Sequence, residues 1–245
     1  MTAVERTRRQ ADGGPPLGIL GVVFTVLFIG GIAVSTAMAG ETFPSPFGPS
    51  AGILAYFHDH QDAVRVSAFL QFAASVPMSI YAATASARLH NLGIRAPGAT
   101  IALAGGLLAS AMLALSALFS WVLSRPEVLA EPALVRGLQD LAFATGGTGH
   151  VVFLGLLVAG IAVPGLLAGL LPRPLAFTGL AIAAVAELST LALLVSDTAI
   201  LLPVARFTAL AWLITTGFLL PRTRAGKAGS RRAGAGSPMS EQQAG

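Results

Sequence analysis

A polypeptide carrying a run such as 17–39, apolar at almost every position, has few ways to fold. A hydrocarbon core contains no water to satisfy backbone N–H and C=O groups, so a spanning segment must satisfy them within its own structure, as a helix does. About 20 residues rising about 1.5 Å each cross a core about 30 Å thick, and residues 17–39 are enough. Five more apolar runs follow, at 66–87, 99–123, 151–171, 175–196 and 200–220. The expectation is an all-α polytopic integral membrane protein built as a six-transmembrane-helix bundle. Composition agrees: 54% of the 245 residues are hydrophobic and 11% charged, against about 25% charged in soluble domains.

Three domains are expected. Residues 1–16 form a disordered leader with Arg6, Arg8 and Arg9 before Gly13-Gly14-Pro15-Pro16, residues 17–222 form the membrane domain, and residues 223–245 form a disordered basic tail. The basic start and Ala37-Met38-Ala39 imitate a secretory signal, but the apolar run exceeds the roughly 7 to 15 residues of a signal core. In the connection 41–62, three prolines between Phe43 and Pro49 shape a loop. Ser50 is placed to cap a turn whose Ile53, Leu54, Tyr56 and Phe57 suit a headgroup boundary. In the connection 124–149, residues 133–145 predict an interfacial helix with Leu134, Leu138 and Leu141 on one side.

Cysteine is absent, which excludes disulfides, thiolate metal sites and a cysteine nucleophile. The net charge of +4 follows topology and gives no reason to expect nucleic acid as a partner. With both termini cytoplasmic, the inside holds Arg6, Arg8, Arg9, Arg88, Arg95, Arg173, Arg222, Arg224, Lys227, Arg231 and Arg232, eleven of the fifteen basic residues. Arg65, Arg125, Arg136 and Arg206 remain toward the outside. This bias predicts a multipass protein of the plasma (inner) membrane. Small residues recur four apart at Gly31, Ser35 and Ala39, at Gly106, Ser110 and Ala114, at Gly165 and Gly169, and at Gly179 and Ala183. Such lines let helices approach closely and together favour a compact monomeric bundle, with a homodimer or a membrane-protein partner as the alternative.

The candidate site residues are polar groups placed where lipid disfavours them. Glu187 and Arg206 lie inside the last two spans, where a charge costs roughly 2.5 to 3.5 kcal/mol on insertion scales. Ideal helix geometry puts them at depths only about 4 Å apart, so they predict an intramembrane ion pair, with Gln71 and His150 as alternative partners of Glu187. An outer-face cluster comprises His58, Asp59, His60, Asp62, Arg65 and Asp140. His58 and His60 are two apart and point to nearly opposite sides of a helix, so no metal site is expected. No histidine falls in the middle of a span, where paired haem ligands would stand, and no cofactor is expected.

Phe43-Pro44-Ser45-Pro46-Phe47, the run Phe143-Ala144-Thr145-Gly146-Gly147-Thr148-Gly149-His150, Ala186-Glu187-Leu188-Ser189-Thr190, Leu202-Pro203-Val204-Ala205-Arg206-Phe207 and Gly217-Phe218-Leu219-Leu220-Pro221-Arg222 resemble a group of bacterial multipass membrane proteins, the domain-of-unknown-function family numbered 4386. The resemblance covers 17–222. It implies the architecture and transfers no activity, catalytic residue or ligand.

Scarce chemistry fits a structural, sensory or partner-binding membrane protein. A small-solute or proton-coupled transporter with a polar site near the outer face is the alternative, supported by Pro77, Pro164, Glu187 and Arg206. An intramembrane metal-dependent enzyme is a distant third, because no zinc-protease or serine-hydrolase pattern is present. Reporter fusions near residues 92, 173 and 225 are expected to read inside, and those near 47, 130 and 198 outside; an external reporter at 225 overturns this topology.

Overall fold

A computed structural model describes residues 14–222, which contain helices and no strand. The expected leader falls almost wholly outside the described residues, as do the tail and the basic residues Arg6, Arg8, Arg9, Arg224, Lys227, Arg231 and Arg232. The helices are α1 (Leu17–Ala39), α2 (Ser50–Asp59), α3 (Gln61–Asn91), α4 (Gly98–Leu123), α5 (Pro126–Leu129), α6 (Pro132–Ala144), α7 (His150–Leu167), α8 (Arg173–Leu188) and α9 (Leu201–Leu219). Six segments are long and apolar enough to span a membrane: Leu17–Ala39, Gln61–Asn91, Gly98–Leu123, Pro132–Leu167, Arg173–Leu193 and Ser196–Leu219. The protein is a multipass, all-α, six-helix membrane bundle.

The spans form a closed ring in which α1, α3, α4, α7, α8 and α9 each pack on the next, and α9 returns to α1. The fourth span sits deepest, with 61% of its apolar 18-residue stretch buried against 33–44% in the others. Glycine makes this depth attainable. A Cβ on Gly105 would stand 2.6 Å from the Leu157 backbone nitrogen, and one on Gly160 would strike the backbone of Ala102. Helices α4 and α7 therefore cross backbone to backbone, with Leu154, Leu157, Val158 and Ile161 sealed around the crossing. The ring closes in the same way, since a Cβ on Gly217 would lie 2.7 Å from Gly18 N.

Most of the small residues expected at helix contacts do pack there: Gly31 meets Leu70, Gly106 meets Ala82 and Gly179 meets the Trp212 ring. Gly169 has a different role, because its φ of +65° turns the chain after α7 where a side chain would be strained.

Two expectations about the connections are corrected. Residues 133–145 are not a separate interfacial helix, because the Thr145–Gly149 segment winds as a π-turn and joins α6 to α7 without a break. Of the three leucines, Leu134 and Leu141 are exposed and Leu138 packs on the core beneath, while Val135, Gln139 and Ala142 face inward. In α2, Ser50 does not cap, since Pro49 holds the cap position with no side-chain bond. Ile53 and Phe57 pack on Val64, Leu123 and Val135. Helices α2, α5 and α6 thus form a cap over one end of the bundle. Around it, Arg136 donates to the carbonyls of Pro46 and Gly48, and Gln139 Nε2 donates to Pro44 O at 3.2 Å. The proline loop is strapped to the cap through its backbone carbonyls, which the irregular course of the loop leaves outside any helix ladder.

Gly160→Val forces a branched side chain against backbone and is expected to destabilise the detergent-solubilised protein by about 1 to 3 kcal/mol. Gly30→Ala, where nothing lies within 4 Å of the added carbon, is expected to leave the melting temperature unchanged or slightly raised. Equal effects of the two would remove the backbone crossing as the basis of the packing.

Candidate functional site

The π-turn is the centre of the polar interior. Its sequence, Thr145-Gly146-Gly147-Thr148-Gly149, carries three glycines; a Cβ on Gly146 would strike the Ser116 side chain, and one on Gly149 would stand in tight contact 3.1 Å from Met112 Sδ. An extra residue in a helical turn displaces carbonyls from the regular ladder. Side chains from neighbouring helices take them. Ser116 Oγ donates to Ala142 O at 2.7 Å, and Arg206 Nη2 donates to Gly146 O.

Arg206 projects from the second turn of α9 into this turn. Its guanidinium lies over the ring of Phe28 from α1, with Cζ 5.3 Å from the centroid. The other face of the cluster is His150, fully buried, whose ring stacks on Phe28 at 6.4 Å and whose Nδ1 is 2.9 Å from Ala109 O on α4. Helices α1, α4, α7 and α9 therefore meet in one knot made of a cation, an aromatic ring, an imidazole and two backbone carbonyls. Cation over ring is worth about 2 kcal/mol or more when desolvated. The Nδ1 contact to a carbonyl places the proton on Nδ1, so the ring is a donor there. Elsewhere the same pattern holds: Tyr81 O–H donates to Leu213 O at 2.8 Å, Ser110 Oγ to Ser75 O at 2.5 Å and Trp212 Nε1 to Leu175 O at 2.8 Å.

Glu187 is not part of the knot, and the expected ion pair with Arg206 does not form. No ion pair or hydrogen bond of Glu187 is found among the described residues. The reason is rotation. Helix α8 buries Gly179, Ile182, Ala183 and Ala186 against its neighbours, and Glu187, one residue and about 100° further round, is exposed at the perimeter. Its Oε1 lies 3.5 Å from where a Cβ on Gly155 would stand, so the carboxylate rests in a notch of α7. The alternative partners do not reach it either: Gln71 Nε2 donates to Ser67 Oγ of its own helix at 3.1 Å, and His150 faces Ala109. Ser189 Oγ donates to Ala186 O at 2.6 Å.

The outer-face cluster separates into pairs. His58 Nδ1 is 3.0 Å from Asp59, His60 Nε2 is 3.4 Å from Glu41, Arg65 bonds Asp62 at 3.2 Å and Arg136 bonds Asp140 at 3.4 Å. Exposed pairs of this kind contribute about 0 to 1 kcal/mol each. Tyr56, beside His60 at 5.0 Å between rings, has its phenol pKa raised by burial and by the Glu41 carboxylate. Among the described residues no group of three or more His, Asp or Glu could hold a metal ion.

Arg206 was legible from its type within an apolar run, whereas His150, expected to flank the run 151–171 with no histidine in mid-span, lies inside the span Pro132–Leu167. Phe28 and Ala109 were not legible, since an apolar ring and a backbone carbonyl carry no mark of a polar contact. The glycine run 145–149 was visible, but as a connection. No family model, curated protein or solved structure matches the chain.

Arg206→Met is expected to destabilise by about 1.5 to 3 kcal/mol, the range for a hydrogen bond to a charged group. In double-mutant cycles it should couple to Phe28→Leu by about 0.5 to 2 kcal/mol, but to Glu187→Gln by less than about 0.5 kcal/mol, as residues out of contact do. Strong coupling between Arg206 and Glu187 would falsify the separation described here.

Proposed function

We propose that this protein is a partner-binding protein of the plasma (inner) membrane rather than an enzyme, with the capped end outside and both termini cytoplasmic. The observation that carries the reading is Glu187, an exposed carboxylate within the span Arg173–Leu193 and without a cation among the described residues. Acidic residues in membrane helices almost always face a bundle interior or a partner, because exposure to lipid is costly. Its surroundings are Leu188, Leu191, Leu193 and Leu194, all exposed. A partner helix presenting a basic residue or a hydroxyl at this depth removes the cost and covers the leucines. The notch at Gly155 supports the same reading, because it holds the carboxylate where such a helix can reach it.

The orientation is supported by charge. Arg88, Arg95, Arg173 and Arg222 stand at the end opposite the cap, and Arg65, Arg125 and Arg136 at the capped end, so the inward bias of the whole chain matches the positive-inside rule. Membership of the family numbered 4386 belongs to the same proposal, supported by the glycine run, the Glu187 segment and the Arg206 segment. Buried donors of Tyr81, His150, Arg206 and Trp212 bond backbone carbonyls of neighbouring helices, which supports a packing role for them.

One observation favours a second reading, proton-coupled transport: the same carboxylate is an unpaired protonatable group inside a span. A photo-cross-linking residue at Leu191, activated in cells, separates the two. One discrete adduct is expected, retained in Glu187→Gln and lost in Glu187→Leu; an adduct at twice the mass of the chain identifies a second copy as the partner. Absence of any adduct, together with proton uptake by proteoliposomes that Glu187→Gln abolishes, establishes transport instead.

A further inference from the structure

Between α3 and α4, near the capped end, the bundle surface opens into a groove of about 610 Å³. Its origin is in the sequence. Ala68 and Ala117 face each other with side chains too short to fill the space, and they form a buried floor. Phe69, Phe72, Leu118 and Trp121 form the walls, and Phe69 stands 70% exposed. The groove lies within two membrane-spanning helices, so it opens onto lipid.

The mouth is charged in a definite order. Arg65 is part of the lining, and its guanidinium is anchored to Ser124 O at 3.4 Å. Asp62 lies one helical turn nearer the capped end, about 4.5 Å further along the axis, bonded to Arg65 at 3.2 Å and itself 82% exposed at its side chain. On the facing helix Trp121 lies level with the mouth, as interfacial tryptophans do. Arg125 covers its ring at 5.4 Å and bonds Glu127 at 3.4 Å. From the apolar floor outward, each wall therefore presents hydrocarbon, then a cation, then a carboxylate.

We infer that this groove is a binding site for one zwitterionic glycerophospholipid with an aminoalkyl headgroup: an acyl chain lies along Phe69, Phe72 and Leu118, the phosphate meets Arg65, and the amine meets Asp62. In such a lipid the phosphate is next to the glycerol and the ammonium is further out, the same order as arginine and aspartate along α3. Guanidinium and phosphate form charge-assisted, bidentate hydrogen bonds. An anionic lipid satisfies the arginine and leaves Asp62 facing like charge, so the pair selects the zwitterion. This site is on a different face from Glu187 and does not depend on the partner-binding reading.

The chain has two tryptophans, which makes the test direct. Trp121 in the groove is 43% exposed, whereas Trp212 is 3% exposed and bonded to Leu175 O. The full chain is placed in bilayers of phosphatidylethanolamine and phosphatidylglycerol in which one lipid at a time carries brominated acyl chains, which quench tryptophan fluorescence on contact. Brominated phosphatidylethanolamine is expected to quench Trp121 beyond its mole fraction, with a relative affinity about two- to fivefold over phosphatidylglycerol, the range that exposed ion pairs support. Arg65→Gln should abolish the preference, Arg65→Lys should keep most of it, and Asp62→Asn should turn it toward phosphatidylglycerol. Quenching that follows mole fraction for both lipids means ordinary boundary lipid and overturns the site. A wild-type preference for phosphatidylglycerol, or an undiminished preference in Arg65→Gln, overturns it equally.

Discussion

The approach of two backbones at Gly98, Ala102, Gly105 and Gly160 sets the arrangement of the whole bundle. Lipid tails are as apolar as leucine, so helices in a membrane are not driven together by the hydrophobic effect and must gain from close packing and hydrogen bonds. Only residues without a Cβ, or with nothing beyond it, allow contact at this distance. With the fourth span drawn inward, its leucines and valines pack into the core that the ring of spans shares. The same device closes the ring at Gly18 and Gly217.

Close packing leaves the polar groups little choice. Tyr81, Ser110, Trp212, Arg206 and His150 each reach a carbonyl on another helix. Regular helices have no carbonyls to spare in mid-span, except as second lone pairs, and the π-turn supplies better ones. This explains why a buried arginine can be held in the bundle without a carboxylate: an aromatic face and a turn carbonyl take the place of the anion. It also explains why Glu187 is left outside. The face of α8 that packs is small and flat, Gly179 to Ala186, and a glutamate within it would separate helices that Gly155 and Ala186 hold together.

The cap is a second, smaller folding unit on top of the first. Phe57, Ile53, Leu123 and Val135 make its core, and the proline loop is bound across it by Arg136 and Gln139. Because Pro132–Leu167 is one helix through the π-turn, the cap and the polar knot are joined by a rigid element. The connections expected to lie at the membrane surface are thus built into the protein.

Six spans and the bundle class were determined by the sequence alone, but not every limit, since the fourth span, expected over 151–171, runs from Pro132 to Leu167. The physical reason for the spans and the class is that a bilayer of fixed thickness and no internal water admits one solution for a long apolar run. The sequence also marked Arg206, His150 and Glu187 as residues that lipid disfavours. Which of them meet was decided by tertiary structure. Depth along a helix follows from residue counting, and it placed Glu187 and Arg206 near one level; direction around the helix follows from which face packs, and that depends on partners elsewhere in the chain. Helix α8 turned its alanine and glycine face inward, so Glu187 faces out, and Arg206 found Gly146 and Phe28, residues 60 and 178 positions distant whose types gave no sign of the contact.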